Sequence, residues 1–159
     1  MEYRKATTSD IPCLIDFRKR LLVEEGQSPD FSIDKVLQKY FERCFSEDSS
    51  VQYIAVDNNV AVHNTENNNE IVGTGGVHFY LYPPSYKNPT GKIAYISSMY
   101  TVPNFRRRGI AKNLLSLLIK QIEERGCSFV RLQASEQGYP VYRKYGFNDA
   151  DGFMVLRLP

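Results

Sequence analysis

Apolar residues recur along this chain with two periods, and their order sets out its architecture. Ile11, Leu14, Ile15, Phe17, Leu21 and Leu22 fall at helical spacing and stop at Gly26. They predict a first helix, with Thr8 or Ser9 as cap, Asp10 complementing the dipole and Pro12 in the opening turn. Ser32 opens a second helix whose apolar positions are Ile33, Val36, Leu37, Tyr40, Phe41 and Phe45. A broader stripe, Ile110, Leu114, Leu118 and Ile122 with Ala111, Leu115 and Ile119 beside it, predicts a helix over 107–125 closed by Gly126. A short helix over 138–145 ends at Gly146. Strands are expected at 2–6, 51–56, 71–81, 92–102, 128–134 and 153–158. The polar run 57–70 reads as a surface loop entered by a turn at Asn58-Asn59, and Pro83, Pro84, Asn88, Pro89 and Gly91 mark another. The order β-α-α-β-β-β-α-β-α-β, hairpins first and a βαβ unit last, predicts a single domain over 1–159. Its core is a mixed sheet with helices on both faces, an α/β (α+β) fold.

Composition narrows the function. With 159 residues, 42% hydrophobic and 24% charged, the chain is ordinary for a globular domain and long enough to bury a core. A net charge of +2 gives no general attraction to nucleic acid or membranes. Three widely spaced cysteines, Cys13, Cys44 and Cys127, make no disulfide framework, and His63 and His78 lie far from them, so no zinc site is expected. The N-terminal segment has no apolar signal region and no run reaches the length of a membrane span, so a cytoplasmic protein is expected.

The charge is uneven. Arg106, Arg107, Arg108 and Lys112 crowd the junction between the long strand and the third helix, around the small residues Gly109 and Ala111. Helix-start amides lack intrahelical acceptors and the dipole favours an anion there, which suits a di- or polyphosphate. A solvated basic face explains arginine runs equally well. The segment is neither a P-loop nor a dinucleotide fingerprint, and Gly73, Gly75 and Gly76 read as close strand packing.

Spacing separates these readings. Arg106-x-x-Gly109-x-Ala111, after a strand ending at Val102-Pro103 and before an apolar helix, resembles the Arg/Gln-x-x-Gly-x-Gly/Ala signature of the GNAT acetyltransferases. Downstream, Tyr142-Arg143-Lys144-Tyr145-Gly146-Phe147 resembles that family's Tyr-x-x-x-Gly-Phe segment, and the element order fits nearly the whole chain. The resemblance implies the GNAT fold, a single mixed central sheet of about six to seven strands with a β-bulge in the long strand. It implies acetyl-CoA as co-substrate, with no metal. Arg107, Arg108, Gly109, Ile110, Ala111 and Lys112 are then expected to hold its pyrophosphate. Backbone groups of Tyr100 and Val102 are expected to pair with the pantetheine arm, leaving their side chains free to vary, and the Tyr100 amide to serve as oxyanion donor. Ser135 stands where many relatives have a cofactor-binding asparagine.

The implied reaction is direct acetyl transfer from the thioester to a primary amine. It needs a neutral amine, a donor for the oxyanion and a hydrogen bond or proton for the thiolate. By resemblance, Tyr142 is the general acid. The strand 92–102 has no Asp or Glu, where many members carry a glutamate base. Glu136 or ordered water remains. Glu24, Glu25 and Asp30 either attract a cationic acceptor or form a solvated helix end, and Tyr80, Tyr82 and Tyr86 either wall a pocket or lie on the surface. The acceptor is a small-molecule or protein amine, and homodimers are frequent in the family. The alternative is a non-catalytic CoA or acyl-CoA sensor; a nucleic-acid binder is disfavoured by the low net charge.

Overall fold

The computed structural model describes residues 1–58, 70–150, 154 and 156. Strand β1 (Glu2–Lys5) leads through a 3-10 turn into helices α1 (Ile11–Glu24) and α2 (Asp34–Ser46). Strands β2 (Ser50–Asp57), β3 (Glu70–Leu81) and β4 (Lys92–Thr101) follow, then α3 (Ile110–Glu124), β5 (Phe129–Leu132) and α4 (Tyr139–Tyr145). The sheet runs in order β1-β2-β3-β4-β5, antiparallel except for the parallel β4–β5 pair. The described residues form five strands, fewer than the six to seven expected. The expected final strand, 153–158, lies outside the described residues apart from 154 and 156, as does most of the loop expected over 57–70.

Alternation along the strands sends side chains to both faces of the sheet. Val51, Val77, Ala94 and Ile96 pack with Leu115, Leu118 and Ile122 of α3 and with Tyr142 of α4. Ile54 and Val56 pack with Ile11, Leu14 and Ile15 of α1 and Phe41 of α2. Val36 is 67% exposed although it shares the apolar run of α2. The buried line of that helix runs through Phe41 and Cys44, and Val36 lies off it.

The cap stands at Thr7, before the 3-10 turn Thr8–Asp10 that leads into α1, rather than at Thr8 or Ser9. Asp10, three residues on, accepts from the Thr7 amide at 2.7 Å and its hydroxyl at 3.0 Å, a capping box with aspartate as the returning acid. Arg4 of β1 binds the same carboxylate through both terminal nitrogens at 2.8 and 2.9 Å. Those bonds hold the Asp10 pKa below the ordinary carboxylate value, the Arg4 hydrogen bond being the largest cause. The depressed folded-state pKa makes this stabilisation fully present above the unfolded value of about 4, and it is lost as pH falls through the folded value. Asp10→Ala is expected to cost about 1–2 kcal/mol at pH 7, discounted for the partly exposed arginine, and the gap between variant and parent should close in acid melts.

Candidate active site

Long strand β4 is interrupted where it matters. Its register with β3 changes between the pairs Gly76↔Ser97 and Thr74↔Tyr100, so β4 carries an extra residue at Ser98–Met99. Ser98 has φ of 54°, the left-handed conformation of a bulge. On its other side β4 pairs with β5 only from Ile93 to Ile96. From Ser97 onward it runs without β5, and among the described residues no strand pairs with that edge beside the bulge.

The side to which each backbone group points follows from the antiparallel pattern. The Val102 amide donates to Val72 O at 2.9 Å, toward β3. Tyr100, two residues back and opposite Thr74, shares that orientation. Both were expected to offer their backbone to the opening; their amides face β3 instead. Thr101, between them, faces the opening, and the bulge residues Ser98 and Met99 are loosened from the ladder. Nor is the Tyr100 side chain free to vary. It is buried, packs on Phe17 of α1 with ring centroids 5.2 Å apart, and its hydroxyl meets Glu24 at 3.3 Å.

Arg106 closes the end of this opening. Its Nε donates to Thr101 O at 2.9 Å, one terminal nitrogen to Gln137 at 3.1 Å, and the other to both Glu24 carboxylate oxygens at 2.7 and 2.8 Å. The first arginine of the basic segment therefore ties α1, the end of β4 and the turn before α4 together. Glu24, taken by this pair, is no free attractant for a cationic acceptor. Glu25 remains exposed.

Beyond Arg106 the chain turns sharply. Arg107 has φ of 61° and Gly109 of 82°, so α3 starts at Ile110, not at Arg107 as the apolar stripe suggested. Residues in the left-handed region cannot continue a right-handed helix. The amides from Arg107 to Lys112 donate to no acceptor among the described residues. An ideal Cβ on Gly109 meets nothing within 4 Å, so the space over these amides is open. Arg108 lies over the Phe105 ring at 4.8 Å, and Arg107 and Lys112 are exposed. Gly73 seats the helix start on the sheet: a Cβ there would come within 2.9 Å of Ile110 Cγ2. Unpaired amides, open space and flanking cations fit the pyrophosphate of a coenzyme A thioester.

Ser135 and Tyr142 both lie against Gly138 in the turn into α4. Ser135 Oγ accepts from the Gly138 amide at 3.2 Å, and the Tyr142 ring packs so closely over Gly138 that a Cβ there would lie 2.9 Å from Cε2. The Ser135 oxygen thus caps the turn, while its own proton stays available for donation. Tyr142 is buried against Phe147 at 5.9 Å, and its hydroxyl has no hydrogen-bond partner among the described residues. Burial, then the charge of Glu25, pushes its pKa up to about 12. Glu136 is exposed and makes no hydrogen bond or ion pair among the described residues.

Sequence reasoning missed the roles of Thr101 and of the Glu24–Arg106 pair. Parity along the strand identifies the first only once the bulge is located. Nothing local links residues 82 positions apart.

Comparison with known proteins agrees with this geometry. The acetyltransferase (GNAT) family model matches residues 23–147. A predicted acetyltransferase from Clostridium acetobutylicum, solved with acetyl-CoA, is 40% identical, with a TM-score of 0.87 over 98% of this chain and 95% of that one. The GCN5-related N-acetyltransferase from Ralstonia eutropha JMP134 shares the fold, at 20% identity and a TM-score of 0.85 over 98% and 97%. The glucosamine 6-phosphate N-acetyltransferase of Trypanosoma brucei brucei is 28% identical over 88 residues, 55% of this chain and 58% of that protein, so the chain matches little more than half of that relative's length. With a bulged and splayed central strand, a helix start of unpaired amides and a family match spanning both motifs, this chain belongs to the GNAT family of acetyltransferases, whose co-substrate is acetyl-CoA.

Proposed function

We propose that this chain transfers the acetyl group of acetyl-CoA directly to a primary amine. The reading rests above all on the run of unpaired amides from Arg107 to Lys112, facing open space beside the edge of β4 beyond β5. Arg107, Arg108, Gly109, Ile110, Ala111 and Lys112 hold the pyrophosphate, the amides by hydrogen bonds and the cations by charge. The pantetheine arm pairs with the edge of β4 beyond β5 at the Thr101 amide, the Thr101 carbonyl being held by Arg106 Nε, as an added strand would. In place of Tyr100, the bulge amides of Ser98 and Met99 are the donors for the thioester oxyanion. Tyr142 donates a hydrogen bond to the departing sulfur, and the Ser135 hydroxyl supports the arm on the β5 side. The acceptor comes from the α1–α2 face of the sheet, opposite α3.

The test is calorimetric titration with acetyl-CoA, free CoA and adenosine 3′,5′-bisphosphate. It is followed by thiol release with a panel of glucosamine 6-phosphate, spermidine, free amino acids and a peptide with a free N-terminus. One-to-one binding of all three ligands and thiol release with at least one amine are expected. Binding without thiol release would identify a sensor instead, and no binding by folded protein would sink both readings.

A further inference from the structure

Transfer needs a group that takes the acceptor's proton. The strand positions where many relatives carry a glutamate hold none here, and Glu136 makes no hydrogen bond or ion pair among the described residues. On the α1–α2 face of the sheet, however, a histidine lies against the bulge. His78 of β3 has its Nε2 3.0 Å from Ser97 Oγ and 2.8 Å from the Tyr40 hydroxyl of α2, which also lies 3.2 Å from Nδ1. Ser97 is the first residue of β4 beyond its pairing with β5 and stands next to left-handed Ser98. The Ser97–His78 pair therefore sits at the point where the strands part, on the acceptor's face. We propose that His78 is the proton acceptor of the transfer reaction, reached through the Ser97 hydroxyl. This deepens the acetyltransferase reading and rests on it.

The surroundings keep the ring in the form the role needs. Arg18 faces it from α1, Tyr40 from α2 with Cys44 against that tyrosine, Tyr95 and Ser97 from β4, and Ser50 from β2. Arg18 is the one charged side chain in that group at neutral pH, and no carboxylate belongs to it. Arg18 is half-buried and makes no hydrogen bond or ion pair among the described residues. Burial, then the Arg18 charge, lowers the His78 pKa below its ordinary value. At pH 7 the ring is neutral and its lone pair can accept a proton. Tyr40, whose own pKa burial raises, stays protonated and orients the ring.

The proton count closes. An N–H bond of the acceptor ammonium breaks toward Ser97 Oγ as the Ser97 proton passes to His78 Nε2, leaving neutral amine, intact serine and imidazolium. The amine nitrogen then bonds to the thioester carbon and the C–S bond breaks. The second amine proton neutralises the thiolate, and the imidazolium gives its proton to solvent. The products are the amide, free CoA and one proton.

The experiment compares parent, His78→Gln and Ser97→Ala proteins. For each, acetyl-CoA affinity is measured by calorimetry, and kcat/KM from pH 5 to about pH 10 with the panel acceptor that turns over fastest, glucosamine 6-phosphate being tried first. The parent's kcat/KM should fall at a pH below about 6.5. His78→Gln should be about 100-fold slower at pH 7, lose that acid limb, and approach the parent as pH nears the amine's own pKa. Ser97→Ala, which removes the relay to His78, should be slowed and lose the limb as well, and both variants should bind acetyl-CoA and melt like the parent. A His78→Gln profile matching the parent, or displaced equally at every pH, overturns the proposal. If His78→Gln does not fold, a normal Ser97→Ala rate overturns it. Failure of the parent itself to bind acetyl-CoA or to release thiol brings down the acetyltransferase reading and this proposal together, which separates the two failures.

Discussion

Gly109→Glu is expected to abolish measurable binding of acetyl-CoA, a loss of at least about 1,000-fold in calorimetry. Two effects add. Gly109 has φ of 82°, where an L side chain costs about 1–2 kcal/mol, so the turn that presents the amides is strained. The larger effect is electrostatic. The space beside the Gly109 Cα is open and lies among unpaired N–H groups. A carboxylate there takes those donors for itself and repels the pyrophosphate at the same spot. Gly109→Ala separates the two, since it keeps the strain without the charge. It should bind only about 10-fold more weakly, because neighbouring Arg107, with φ of 61°, shows that this turn accommodates a side chain in the left-handed region. Gly109→Glu protein that binds acetyl-CoA normally would remove the cradle from 107–112.

How much of this site was legible in the sequence depends on the range of the interaction. The stripe Ile110, Leu114, Leu118 and Ile122 follows from periodicity alone, and all are buried. The same stripe says nothing of where the helix starts, because Arg107 and Gly109 stop it through backbone conformation, to which hydrophobic patterning is blind. Tyr100 and Val102 were assigned one residue out of phase. Which strand groups face the opening depends on the ladder, and the bulge that resets the ladder involves Ser98, a residue with no turn signature. Glu24 looked like a solvated helix end or an acceptor lure. Its partner Arg106 is brought to it only by the packing of α1 over β4. His78 was weighed solely as a metal ligand; its position beside Ser97 follows from antiparallel register, not from spacing.

Tyr142→Phe is expected to lower kcat by about 10- to 100-fold with acetyl-CoA affinity within about 2-fold of the parent. The ring supplies the packing on Phe147 and Gly138, and phenylalanine keeps it; only the hydroxyl is lost. That hydroxyl is held protonated to about pH 12 by burial. A thiol has a pKa of about 8.5, so handing the proton fully to a free thiolate would run about 5 kcal/mol uphill. The chemistry favoured here is a hydrogen bond to sulfur as its charge develops, worth about 1.5–3 kcal/mol when one partner is charged. The pH dependence tests this. Because Tyr142 stays protonated throughout the working range, Tyr142→Phe should be slower by the same factor from pH 6 to about pH 10, with its limbs unmoved. His78→Gln should instead converge on the parent as the pH rises. If removing the Tyr142 hydroxyl shifts a limb of the profile, the group is a titrating acid. If removal leaves kcat unchanged, the buried tyrosine is a packing residue and the thiolate leaves without its help.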